Sequence, residues 1–447
     1  MWYRRVPILI ARGNAARHIY STFILNRRPA SFFIIACSAM HNFVFFLILL
    51  IPVTGFLLER YLEYLNSGMR SEILPDKLKG ICDEEEYRKT QLYEKDNNRL
   101  SFWSSSFNLA VIILMIIFGG FAMLDVFARS FSNNMVVISL VFFGIIGFAS
   151  DIINLPFGWY DTFVIEKKYE FNTMTIRIFI TDHLKSWFIV LLVGIPVLGL
   201  ITWIYYRTGK GFWLYAWALI TAFSIFINFF YSAWIVPLFN KQTPLIESPL
   251  RKKIEDFAEK AGFRLKNIYV IDGSRRSTKA NAYFSGFGPK KRIVLFDTLI
   301  KEMSDEEIVA VLAHEIGHYR KKHVLKSLLF SIILTGLMLF LFSLVVDSPV
   351  LSGAMGTETP SFHLGLVVFG ILYSPLSLLI GLITNYFARK NEFEADRFVH
   401  ENYDPAELAT ALKKLAVKNL SNMIPHPAYV FFHYSHPPLL ARLAKLE

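Results

Sequence analysis

The sequence predicts a polytopic membrane protein built almost wholly of α-helices, with one water-facing insert that carries a small β-sheet. Two observations predict this class. Hydrophobic residues make up 54% of 447 and mean hydropathy is +0.40, which is too apolar for a soluble chain of this length. The apolar residues also gather into runs of about 20, the length that crosses a hydrocarbon core roughly 30 Å thick. Such runs lie near residues 31–58, 105–127, 134–158, 186–206, 211–238, 324–346 and 363–388. They predict about seven transmembrane helices.

The elements follow in order. Residues 1–30 form a basic extension, with Arg4, Arg5, Arg12, Arg17, Arg27 and Arg28 and no acidic residue. Residues 31–238 hold the first five spans and their loops. The third span is interrupted near its end by Asp151, Asn154 and Pro156, and the second contains Asp125. Polar groups at membrane depth face protein or water rather than lipid. Residues 239–323 are the largest water-facing insert, 324–388 hold spans six and seven, and 389–447 return to polar composition. With seven spans, segments 59–104, 159–185, 239–323 and the tail share one side, and that side is rich in Lys and Arg. The opposite loops hold only Arg129, Arg207 and Lys210, with no basic residue between 347 and 362. Basic flanks stay in the cytoplasm, so the insert is expected to face it. The net charge of +11 comes from such flanks and from mixed-charge loops, which suits anionic lipid and not nucleic acid. Two cysteines, Cys37 and Cys82, make neither a disulfide framework nor a metal quartet.

Within the insert, β-rich runs at Ile268 to Ile271, Ala282 to Phe287 and Arg292 to Phe296 predict a small sheet. A capping box, Ser304-Asp-Glu-Glu307, then opens a helix that contains His314-Glu-Ile-Gly-His318. On a helix, residues four apart share a face, so His314 and His318 can bind one metal ion while Glu315 addresses water. Hydrolytic zinc takes three protein ligands and keeps one open position. Lys321 and Val324 stand where a metzincin needs Gly and His, and His323 is five residues from His318, off the ligand face. A gluzincin instead takes a carboxylate from a later helix, and Glu392 with Asp396 one turn on has that form. The expected centre is one Zn2+ on His314, His318 and Glu392, with Asp396 bonded to the outer nitrogen of His314. A solvated face, in which Glu392 and Glu394 pair with Arg389, Lys390 and Arg397, is the alternative for that segment. Zinc so held lowers the pKa of water toward about 7, and Glu315 then serves as general base. Zinc peptidases grip extended substrate on an edge strand beside the metal; Asn281-Ala-Tyr-Phe284 is the candidate, with an interior structural strand as its alternative.

Several stretches in order carry a family resemblance: Asp83-Glu-Glu-Glu-Tyr87, Leu155-Pro156 with Asp161-Thr-Phe-Val-Ile-Glu166, Asn281 to Phe284, Arg292 to Asp297, the pentad, Glu392-Phe-Glu-Ala-Asp396, and Tyr434-Ser-His-Pro-Pro438. The chain resembles the type I CAAX prenyl proteases, membrane-integrated zinc metalloendopeptidases. The resemblance implies seven helices forming a barrel around a water-filled chamber, capped by the zinc domain. It implies removal of the last three residues from a prenylated Cys-a-a-X terminus, so that the partners are a lipidated peptide or protein and the bilayer. It also brings His436 and Arg442 near the zinc. His436, on a rigid His-Pro-Pro turn, is then the candidate donor to the developing oxyanion, and Arg442 either orients the site, holds a substrate carboxylate or pairs with an acid.

The chain departs from eukaryotic members in its long basic N-terminus, in lacking an acidic insertion before the zinc helix, and in ending at Glu447 without a dilysine signal. A bacterial source would put it in the inner membrane, a eukaryotic one in the endoplasmic reticulum. A membrane-protein quality-control zinc peptidase with no need of a prenyl group is the main alternative. A transporter and an inactive scaffold are more distant ones.

Overall fold

The computed structural model describes residues 43–446 apart from 72, 264–266 and 286–291. The basic extension 1–30, residues 31–42 of the first expected span with Cys37, and the end of the strand expected to reach Phe287 lie outside the described residues.

Helix α1 (Phe43–Ser67) is followed by α2 (Glu84–Ile117), which Asp83 and Glu86 start with a reciprocal capping box. The run expected as one span over 105–127 breaks at Gly119, whose φ of 65° a residue without Cβ adopts freely, and resumes as α3 (Gly120–Phe131). Helix α4 (Met135–Tyr160) passes through Pro156 into a π-turn at Asp161–Ile165. Helices α5 (Ile176–Ile189) and α6 (Ile195–Thr208) are joined by a second π-turn, and α7 (Phe212–Phe230) follows a short turn at Gly209–Gly211. Six described stretches are long and apolar enough to cross a membrane. One of them, Ile176–Phe239, holds two of the expected runs, with α6 and α7 packed on each other about the Gly209 turn. The remaining spans are α11 (His323–Val345) and α13 (Phe362–Asn402).

These helices close into a ring. Helix α1 touches α2, α2 touches α3, α3 touches α4, and contact continues through α6, α7, α11 and α13 back to α1. Only 6–22% of the residues in the apolar windows of these spans are buried within the protein. The ring is packed at one end. Two apolar clusters form there around the first turns of α13, one with Ile48, Phe121 and Phe142, the other with Phe212, Phe342 and Phe362. Short helix α12 (Pro349–Ala354) joins the first cluster.

The opposite end carries the water-facing unit, which joins the insert to the tail. Its core packs α8 (Pro249–Lys260), α9 (Asp297–Glu302) and α10 (Asp305–Arg320) with α14 (Pro405–Lys418) and α16 (Leu439–Leu446). A four-stranded sheet, β1 (Gln242–Pro244), β2 (Asn267–Ile271), β3 (Ala282–Ser285) and β4 (Arg292–Phe296), has the order β1-β2-β4-β3, with β2 and β4 parallel and the other pairs antiparallel. Strand β3 is therefore an edge. Helix α15 (Pro427–His433) rests on α1 and α13.

Polar residues inside the spans face protein partners. Trp187 Nε1 donates to Asp151 Oδ2 at 2.9 Å, and Asn108 Nδ2 donates to Asn154 Oδ1 at 2.8 Å. At the packed end Asp125 accepts from Arg129 Nε at 2.9 Å and lies 2.6 Å from His363 Nε2, while His363 Nδ1 lies 3.0 Å from Ser139 Oγ. This buried chain pins α3, α4 and α13 together. Replacing His363 with Phe keeps an aromatic ring but removes the partner that joins Asp125 to Ser139, leaving Asp125 to Arg129 and Ser139 to the Met135 carbonyl, and should cost about 1–3 kcal/mol. The midpoint of thermal unfolding in detergent should fall, and an unchanged midpoint would show that the chain contributes nothing.

Candidate metal centre

Helix α10 begins at the expected capping box: Ser304 Oγ accepts from Glu307 N, and the Glu307 side chain accepts from Ser304 N. Its apolar face buries Ile308, Val309 and Leu312 in the domain core, which turns His314 and His318 toward α13. The two helices meet closely. A Cβ on Gly317 would lie 3.1 Å from the Cβ of Phe398 and 3.2 Å from both Cα and O of Ala395. Glycine at this point lets α13 bring Glu392 against both imidazoles. Helix α13 runs unbroken from the seventh span into this segment, so the site carboxylate sits on the transmembrane helix itself and not on a separate one.

The nitrogens converge. His314 Nε2 and His318 Nε2 are 3.1 Å apart; Glu392 Oε2 is 3.4 Å from the first and Glu392 Oε1 is 3.2 Å from the second. A tetrahedral zinc with ligands at about 2.0–2.1 Å needs donors about 3.3–3.4 Å apart, and this triangle has nearly that edge. Glu392 Oε2 is buried and receives no well-aligned hydrogen bond, although His436 Nδ1 approaches to 2.9 Å and Arg442 Nη1 to 3.6 Å. An unsatisfied buried carboxylate oxygen beside two imidazoles fits a cation. The three residues are the one group among the described residues whose ligand atoms gather in this way.

The electrostatics point the same way. Burial alone would lower the pKa of His314, but hydrogen bonds to Asp396 and Glu392 outweigh it and raise the value to about 9. Burial would raise Glu392, yet His314, His318 and His436 hold it far below the usual carboxylate range. Asp396 is likewise lowered: His314 and Arg442 overcome its burial. The pocket stabilises positive charge at His314, and a divalent ion would take the place of its extra proton.

Asp396 Oδ1 lies 2.9 Å from His314 Nδ1. Arg442, buried on α16, donates to both Asp396 oxygens, Nε to Oδ2 at 2.9 Å and Nη2 to Oδ1 at 2.6 Å, so its fork is committed to that acid. His436 is mostly exposed, and its segment is tied to α13 by Asn385 donating to Phe432 O and Arg389 donating to Tyr434 O. Glu315 is half-buried on α10, directly after His314 in the chain. Asn281 stands apart from the cluster: it is exposed at the foot of β3, its Oδ1 accepts from Ala282 N at 2.8 Å and its carbonyl accepts from Phe296 N. The sheet order makes β3 an edge, as the substrate-strand expectation requires and its interior-strand alternative does not, and β3 touches α10. One participant was not expected. His323 lies behind His318, Nδ1 to Nδ1 at 3.0 Å, and its Nε2 is 3.1 Å from Glu394 Oε2.

Known proteins can now be set beside this geometry. The family model for the CAAX prenyl protease N-terminal region, five membrane helices, matches residues 63–241, and that for peptidase family M48 matches 244–447. CAAX prenyl protease 1 homolog of Arabidopsis thaliana is 35% identical over 412 residues, covering 88% of this chain and 96% of that protein. CAAX prenyl protease 1 of Saccharomyces cerevisiae is 34% identical over 422 residues, covering 88% and 93%. The human CAAX prenyl protease 1 homolog is 32% identical over 452 residues, covering 90% and 95%. The crystal structure of S. mikatae Ste24p superposes with a TM-score of 0.84 at 34% identity, covering 90% of this chain and 99% of that one.

Because Gly317 sets the distance between α10 and α13, Gly317→Leu should wedge them apart. The expected result is a loss of about 1–3 kcal/mol of stability from overpacking, together with metal content well below one ion per chain by elemental analysis. Full metal occupancy in this variant would show that the close contact does not govern the site.

Proposed function

The chain belongs to peptidase family M48, in its CAAX prenyl protease 1 group, and on that basis we propose that it removes the C-terminal tripeptide from prenylated CAAX proteins or peptides, using one zinc ion on His314, His318 and Glu392. It is a multi-pass membrane metalloprotease, and its substrates are peptides or proteins. The observation that carries the finer reading is the triangle of donors that α10 forms with the long membrane helix α13.

The ion supplies Lewis acidity to the attacking water and to the scissile carbonyl. Glu315 removes the proton from that water and passes it to the leaving amine. His436, exposed and close to the ligand carboxylate, donates to the oxygen on which charge develops. Asp396, fixed by Arg442, holds His314 with its Nε2 toward the ion. The free edge of β3, which follows Asn281, grips the extended peptide through its backbone. We assign this end to the cytoplasmic face, because the loops that share it are the Lys- and Arg-rich ones. In a eukaryotic cell, as for the eukaryotic relatives, the endoplasmic reticulum membrane suits the reading.

Both halves of the centre hang from membrane helices: α11 starts five residues after His318, and the apolar part of α13 ends just before Glu392. A peptide anchored by a lipid arrives at that depth.

A farnesylated CAAX peptide should be cleaved at least tenfold faster than its unlipidated twin, and chelation should stop both. Equal rates would favour the quality-control reading. Glu315→Gln should reduce kcat by about 10²–10⁴ while metal content stays at one ion per chain. His436→Ala should lower kcat by about 10²–10³ with little change in KM, since its donor acts on charge absent from the ground state. A rise in KM alone would remove His436 from that role.

A further inference from the structure

We propose that His323 and Glu394 form a positioning relay behind His318, which holds its ring in the tautomer that presents a lone pair to the metal. The inference deepens the site reading above and rests on it.

Donor accounting fixes the direction of the relay. His318 Nε2 is the atom that faces His314 and Glu392, so it must keep its lone pair for the ion. A neutral imidazole then carries its proton on Nδ1. That nitrogen lies 3.0 Å from His323 Nδ1, and two ring nitrogens bond only when one donates and the other accepts. His323 Nδ1 is therefore the acceptor, and its own proton sits on Nε2. His323 Nε2 in turn lies 3.1 Å from Glu394 Oε2, a carboxylate oxygen that only accepts. Each donor meets one acceptor, and the protonation pattern of both rings follows from the ion alone.

The placement explains why a ring stands between His318 and the acid. Glu392 and Glu394 are two residues apart on α13, so their side chains leave the helix on opposite sides. With Glu392 turned into the donor triangle, Glu394 cannot reach His318 directly. His323 closes the gap from a third element, because Lys322, at φ 59°, turns the chain sharply between α10 and α11 and makes His323 the first residue of the next helix. His323 is 3% exposed and stands edge-on to His318, with centroids 5.1 Å apart. The two metal-facing imidazoles are thus oriented by separate acids, His314 by Asp396 directly and His318 by Glu394 through His323. The second arrangement ties a metal ligand to the start of a membrane helix.

The test measures zinc affinity by chelator competition on the full-length chain in detergent, with the visible spectrum of the cobalt-loaded protein as a second readout. His323→Leu should weaken zinc by about 10–100-fold and shift the cobalt bands. His323→Asn should stay near the parent, because its Oδ1 stands about where the ring Nδ1 stood and accepts the same proton. Glu394→Gln should also stay near the parent, since it still accepts from His323, whereas Glu394→Leu should lose affinity. Glu394 is partly exposed, so this second pair decides the matter if His323→Leu does not fold. Parent-like affinity and spectrum in the Leu variants overturn the relay. So does an Asn variant that loses as much as Leu, which would leave His323 a packing residue only. If the parent binds no zinc, the metal site itself fails; if the parent binds zinc and the series is flat, only the relay fails.

Discussion

The contact of α10 with α13 at Gly317 and Ala395 is the constraint on which the site depends. Two metal-facing residues come from one helix and the third from another, so the donor triangle exists only at the distance their backbones allow. Close approach exacts a second condition, because it buries Glu392 and Asp396 with Arg442, among the described residues, as the permanent cation paired with them. Buried carboxylates are tolerated when paired, and the raised pKa of His314 records the remaining demand for positive charge. The same crossing therefore assembles the ligands and makes a cation welcome among them.

Much of this arrangement was legible in the chain because it rests on short-range periodicity. A pentad with ligands four apart, a capping box four residues long and apolar runs of membrane length each state their own geometry, and Glu392 with Asp396 adds one more helical turn. Features that depend on contact between distant segments were less legible. Strand β1 is three residues with a proline and exists only because β2 offers it an antiparallel partner. The break at Gly119 lies inside an apolar run, where hydropathy continues although the helix does not. His323 was set aside because five residues from His318 is the wrong face of a continuing helix. The chain does not continue as one helix, and the left-handed Lys322 brings the ring round to the back of His318. Arg442 had open roles until its fork was found on Asp396.

Spans with so few buried residues raise the question of what holds them together. Along the middle of the spans some polar groups bond to a carbonyl of their own helix, Ser105 to Ser101, Asn228 to Ser224 and Thr384 to Ile380, while Asn108 with Asn154, Trp187 with Asp151 and Trp217 with the Ile332 carbonyl bond between helices. The bonds within one helix satisfy donors without drawing helices together. The large apolar clusters lie at the ends. At one end the apolar clusters around Phe142, Phe342 and Phe362 close the ring, and the Asp125–His363–Ser139 chain fixes α3, α4 and α13 across it. At the other, the domain core joins the insert to the tail and holds α10, and through it α11, against α13. Glu392 and His363 are residues of one helix about 44 Å apart along its axis, at 1.5 Å per residue. Helix α13 therefore belongs to both closures. A helix clamped at two ends keeps its ligand end in register with α10, so the position of Glu392 in the donor triangle is set by packing at both ends of one membrane helix.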